Sequence, residues 1–119
     1  MLYFCRHGET LYNRDNRWIG QRDIGLSQAG EEHIHRVAQK LKAIQFNKIH
    51  SSPLIRACRT ADIICEAQLI PPSLYVQPWL SERGYGVLEG HNKTKQQHQK
   101  LDDFEGVEPL SSFRDRLHL

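Results

Sequence analysis

The 119-residue sequence lacks any apolar run long enough to cross a bilayer, and no basic segment leads into an apolar stretch near its start. Both absences point to a cytoplasmic protein with no membrane partner. Cysteine is scarce. Cys5, Cys58 and Cys65 are odd in number and form no Cys-x-x-Cys pair, which suits reduced thiols and argues against a disulfide framework. An excess of one charge is also missing. Sixteen Lys and Arg against fourteen Asp and Glu leave +2, and with no Lys/Arg block there is no basis for a nucleic-acid partner. Histidine is plentiful at seven, yet His33 and His35 are two apart on a predicted helix. His50, His91, His98 and His118 also show no metal-ligand spacing, so no metal site is expected.

What is present is an alternation. Leu2 to Cys5 is a short continuous apolar run, the pattern of a strand covered on both faces. Polar, loop-like sequence runs from Asn13 to Asp23. Ser27 then reads as an N-cap, and Ile34, Val37, Ala38, Leu41 and Ile44 recur at helical spacing. A short strand is predicted near "NKIHSS". Pro53 suits the first turn of a second helix, whose apolar stripe is Ile55, Ala57, Cys58, Ala61, Ile64 and Cys65. "PPSLYVQP" reads as a third strand, "WLSERGYGVLEGHNK" as a loop, "TKQQHQKL" as a weak helix and "EPLSSFRDRLHL" as an amphipathic one. Strands alternating with helices predict one α/β domain over 1–119 with a mostly parallel sheet and right-handed crossovers. The last helix has no stop signal, so the chain reads as cut short.

The chemistry-bearing residues fall just after the predicted strands. Arg6 and His7 follow the first, with Gly8 leaving room for a ligand. Arg56 and Arg59 lie in the first turns of the helix after the second. Glu82, Arg83 and Glu89 follow the third. In an open parallel sheet these three loops share one edge, where ligands bind. Two arginines and a helix N-terminus suit a phosphate. A histidine among them can be the nucleophile, and a carboxylic acid can protonate the leaving alcohol. Each residue also has a plainer reading: Arg59 as a surface charge, Arg83 as a loop salt-bridge partner, Glu89 as a solvated carboxylate, Tyr85 as packing.

"RHGET" with Asn13, "DIGLSQAG", "SSPLIRACRTA" and "LSERGYGVLEG", four motifs in this order, resemble the histidine phosphatases, the phosphoglycerate mutase-like superfamily. The resemblance runs from Met1 to about Asn92. It implies a three-layer αβα fold, here lacking its C-terminal part, and no metal or organic cofactor. It implies that His7 becomes phosphohistidine, that Arg6 and Arg56 hold the phosphoryl group, that Asn13 and Gly20 belong to the substrate loop, and that Glu82 is the proton donor. The expected substrate is a small phosphorylated metabolite.

Tyr85 and Lys93 match mutase positions that contact substrate. The mutases, however, carry a long insertion after this loop, whereas only a short stretch here separates Lys93 from Gly106-Val107-Glu108-Pro109, a turn resembling that of the phosphatases. Phosphomonoester hydrolysis is therefore the expected reaction, with Arg83, Tyr85 and Lys93 as further substrate contacts. Mutase-type transfer, a phosphate-dependent binding module and an inactive phosphate-binding remnant are the alternatives. The remnant is kept because the family's second active-site histidine has no counterpart here; His118 is not followed by glycine. An unpaired sheet edge is expected where a later strand would lie, which invites a homodimer by strand exchange.

Overall fold

The structure is a computed structural model and describes residues 1–117; the reading of His118 falls outside the described residues. The chain is α/β. Its elements are α1 (Leu11–Arg14), α2 (Gln28–Leu41), β1 (Lys48–Ser51), α3 (Ile55–Ala67), β2 (Ser73–Val76), α4 (Lys95–Gln99) and α5 (Leu110–Leu117). Short 3-10 turns lie at Pro78–Leu80, Gly86–Leu88 and Leu101–Asp103.

β1 and β2 pair in parallel, Lys48 opposite Ser73 and Ser51 opposite Val76. α3 connects them as a crossover and packs on α2. The helical spacing read from the sequence becomes the core for Ile34 and Ala38 of α2 and Ile64 of α3, which pack with Leu26, Leu41, Phe46, Ile49 and Ala67 around them; Ile63, outside the predicted stripe, is the most buried residue of α3, while Ile55, within it, is exposed at the helix start. Ser27 caps α2 as expected, its Oγ accepting the Gly30 N–H at 3.0 Å. Arg59, read as a surface charge, grips Glu31 of α2 through two hydrogen bonds of 2.8 and 3.0 Å, so it ties the two helices together.

The expected strand at Leu2–Cys5 is not formed. Met1, Leu2 and Phe4 are exposed, and the segment's apolar contact is an edge-to-face pairing of Tyr3 with Phe46 at 5.3 Å. A strand apolar on both sides needs cover on both faces and a partner to pair with. α2 and α3 cover the Ile49 side of the sheet, while His50 and Tyr75, stacked on each other, stay exposed on the other side.

A second core forms where the sequence reads as loop. Trp18, 2% exposed, packs with Leu88 and Val107, flanked by Tyr85, Leu101 and Phe104. Its indole N–H donates to Gln97 Oε1 at 2.8 Å. Backbone hydrogen bonds from Trp18 N–H to His91 O (2.9 Å) and Gly90 N–H to Trp18 O (2.7 Å) fasten the 17–20 loop to the 86–92 loop.

Candidate active site

The segment after Cys5 is fixed by its backbone. The Gly8 N–H donates to Thr60 Oγ1 of α3 at 3.0 Å, and Glu9 O accepts the Ser27 N–H at 2.8 Å. Glu9 also takes the Ser27 hydroxyl on Oε1 at 2.9 Å. Gly8, expected to leave room for a ligand, is buried against α2: a Cβ there would sit 2.8 Å from Ile34 Cγ1. Its missing side chain serves helix packing. Residues 6–9 are thereby held between the N-cap of α2 and the second turn of α3.

His7 is half-buried, and its Nδ1 lies 2.7 Å from the Gly8 carbonyl oxygen. A carbonyl can only accept, so Nδ1 carries the proton and Nε2 keeps the lone pair. Burial, more than any other cause, pulls the imidazole below its ordinary pKa. The bond to Gly8 acts the other way, the cationic Arg56 and Arg6 lower it further, and Glu82 raises it. The ring is therefore neutral at neutral pH, the form in which an imidazole is nucleophilic.

Arg6, His7, Glu9 and Asn13 line a cavity of about 250 Å3. Asn13 reaches it from α1, where its side-chain oxygen accepts from the Thr10 N–H at 3.0 Å and completes a capping box. Arg56, 2% exposed, projects from α3 and donates to Arg22 O at 2.7 Å and Gly20 O at 2.6 Å. It holds the 20–22 loop as well as placing a cation near His7. Burial draws its pKa down; the carboxylates of Glu82, Asp23 and Glu89 oppose this. Gly20 adopts φ +56, and a Cβ there would lie 2.2 Å from Glu89 Oε2, so a side chain on this path would be strained and would displace Glu89. Asp23 caps α3 from outside, accepting the Ile55 N–H at 2.7 Å, at an N-terminus whose own N-cap, Leu54, offers no side-chain oxygen.

Glu82 is exposed, and its Oε1 accepts the Arg83 N–H at 2.6 Å. It lies within electrostatic reach of both His7 and Arg56. The other three expected substrate contacts are engaged elsewhere. Arg83 is buried and turned to the 102–108 segment, donating to Glu108 O at 2.7 Å and pairing with Asp102. Tyr85 packs on Trp18 at 4.6 Å between ring centres, and Lys93 lies over the same indole at 5.2 Å. Both serve the second core, beside an open depression of about 650 Å3 lined by Arg17, His91, Gln97 and Phe104 among others, none of which lines the His7 cavity. Glu89, read as solvated, is half-buried and accepts backbone N–H groups of Gln21 (3.2 Å) and Tyr85 (2.9 Å). Thr60 and Glu89 are positioning residues that spacing does not reveal, because their partners lie 52 and 68 residues away.

The arrangement places a neutral imidazole and Arg6 on the cavity wall, with the Arg56 guanidinium behind them on the 20–22 loop carbonyls and the Glu82 carboxylate within electrostatic reach. The sequence matches the histidine phosphatase superfamily (branch 1) over residues 2–117. It is 39% identical over 88 residues to a probable phosphoglycerate mutase GpmB of Erwinia tasmaniensis, covering 74% of this chain and 40% of that protein. It is 40% identical over 95 residues to a fructose-2,6-bisphosphatase TIGAR B of Danio rerio, covering 77% of this chain and 37% of that one. Among solved structures, YhfR of Bacillus stearothermophilus superposes with a TM-score of 0.77 at 26% identity, covering 93% of this chain and 60% of that one. The chain thus spans about two fifths of the length of these two curated relatives.

Proposed function

Because this chain belongs to the histidine phosphatase superfamily, whose chemistry is phosphoryl transfer or hydrolysis, we propose that it hydrolyses small phosphomonoesters, without a metal, through a phosphohistidine on His7. The observation that carries the reading is the Nδ1–H···O=C bond from His7 to Gly8, which leaves Nε2 as the free nitrogen of a neutral ring. Nε2 attacks phosphorus, the bond to the leaving oxygen breaks, and the Glu82 carboxyl protonates that oxygen. Water then attacks the phosphohistidine, Glu82 takes its proton, and Nε2 regains its lone pair. Arg6 and Arg56 offset charge on the phosphoryl oxygens, with Asn13 beside them at the cavity wall and Gly20 presenting its carbonyl to Arg56. A cytoplasmic setting suits this chemistry.

Transfer to a second phosphorylated acid is the other reading, favoured by the likeness to the probable phosphoglycerate mutase of Erwinia tasmaniensis. Hydrolysis is preferred because only a short stretch separates Lys93 from the turn at Gly106 to Pro109, where the mutases carry a long insertion. The test is turnover of p-nitrophenyl phosphate by the 119-residue chain with EDTA present, beside His7→Ala. Turnover that vanishes in the variant, with acid-labile phosphate trapped on the parent protein, is expected. Half the activity surviving in His7→Ala would overturn the mechanism, and no turnover from folded parent chain would leave a phosphate-binding remnant.

A further inference from the structure

The Glu82 carboxyl is exposed and sits on a segment whose regular structure is one 3-10 turn, so its own packing does little to locate it. Its backbone is held by a residue far along the chain. Arg116, on α5, donates to Trp79 O at 2.9 Å, to Ser81 O at 2.8 Å and to Glu82 O at 3.0 Å. The same guanidinium grips Glu108 through both carboxylate oxygens, at 2.8 and 2.9 Å. Glu108 in turn accepts the Gly84 N–H on Oε1 at 3.1 Å, donates its own N–H to Gly84 O at 2.8 Å and accepts from Arg83 Nε at 2.7 Å. Residues on both sides of Glu82 are therefore tied to one ion pair.

We propose that Arg116, with Glu108, is a positioning residue for the reaction: together they fix the backbone of residues 79–84 so that the Glu82 carboxyl stays beside His7. The inference rests on the reading of Glu82 as proton donor. Only a planar guanidinium fork can bridge a carboxylate and three carbonyls at once; a lysine ammonium keeps the charge but offers a single point of attachment. An ordinary surface ion pair would be worth little. The three carbonyl contacts make this one a clamp.

A misplaced acid is felt most where the leaving group needs a proton. Ethyl phosphate needs one and p-nitrophenyl phosphate scarcely does. The experiment measures the ratio of kcat/KM for the aryl to the alkyl ester in the parent chain and in Arg116→Lys, Glu108→Gln and Glu82→Gln. The ratio is taken within one sample, so a variant that is partly unfolded still reports it. Glu82→Gln is expected to raise the ratio about a hundredfold, and Arg116→Lys about tenfold in the same direction, with Glu108→Gln between that and the parent. A raised ratio in Glu82→Gln with unchanged ratios in Arg116→Lys and Glu108→Gln would overturn the clamp alone. An unchanged ratio in Glu82→Gln, or no turnover of either ester by the parent chain, would overturn the proton-donor reading and the clamp with it.

Discussion

The Gly8 amide donates to the Thr60 hydroxyl at 3.0 Å across 52 residues of chain, and that hydroxyl in turn donates a hydrogen bond to the Arg56 carbonyl at 2.8 Å. The backbone beside His7 is thus fastened to the turn of α3 that carries Arg56. Thr60 is 4% exposed, so its Oγ1 is the partner that keeps a buried amide satisfied. Thr60→Val keeps the shape and removes the acceptor. It is expected to lower unfolding free energy by about 1–3 kcal/mol in denaturant titrations, while Thr60→Ser stays close to the parent. Equal losses in both variants would mean that packing, not the hydrogen bond, holds this point.

His7 is expected to titrate below its ordinary value of 6.5 when followed by NMR of its ring protons. The folded pKa lies below the unfolded one, so the folded state binds fewer protons in that window. The associated stability is present above pH 6.5 and is lost as pH falls through the folded value. The acid limb of kcat/KM should follow the same group. Arg56→Gln removes a cation that lowers His7, so the titration should move up. A shift downward would contradict the electrostatic account.

Glycine inside a helix is usually improved by alanine, by roughly 1 kcal/mol. Gly30, in the first turn of α2, should show the opposite sign. A Cβ there would sit 2.2 Å from Glu9 O and 2.9 Å from Glu9 N, atoms of a backbone held by Ser27. Gly30→Ala is expected to lower the melting temperature and to weaken orthovanadate binding, because Glu9 and His7 must shift. A melting temperature above the parent's would mean that the Glu9 segment moves freely.

Acid stability has two identifiable sources. The Arg116 guanidinium, bonded to Glu108, holds that carboxyl below its ordinary 4.5, with the Gly84 amide helping and burial opposing. Arg59 does the same for Glu31. Depressed carboxyl pKa values stabilise the fold above about pH 4.5, and that contribution disappears as pH falls through the folded values. The variants Glu108→Gln and Glu31→Gln should each show a shallower fall of stability between neutral pH and roughly pH 3 than the parent chain. An unchanged slope would mean that these ion pairs are too screened to matter.

Local pattern determined a good part of this protein. Ser27 as a cap, Ile34, Ala38 and Ile64 as core positions, and the strands Lys48–Ser51 and Ser73–Val76 follow from spacing, because a helix or strand face is set within a few residues; Ile63 in the core and Ile55 outside it do not. The motifs around Arg6, His7 and Arg56 were legible as a resemblance to a family, which the match over residues 2–117 bears out. Tertiary structure decided the rest. Leu2–Cys5 has strand composition, but a strand exists only with neighbours to pair with and cover on both faces, and those are not encoded in the run itself. Arg83, Lys93 and Arg116 look alike as cations in a string of letters. One is bound to Asp102 and Glu108, one lies over Trp18, and one clamps the Glu82 loop. A long charged side chain takes the partners that folding brings within reach: Asp102 lies 19 positions from Arg83, Trp79 37 from Arg116 and Trp18 75 from Lys93, beyond any periodicity the sequence can display.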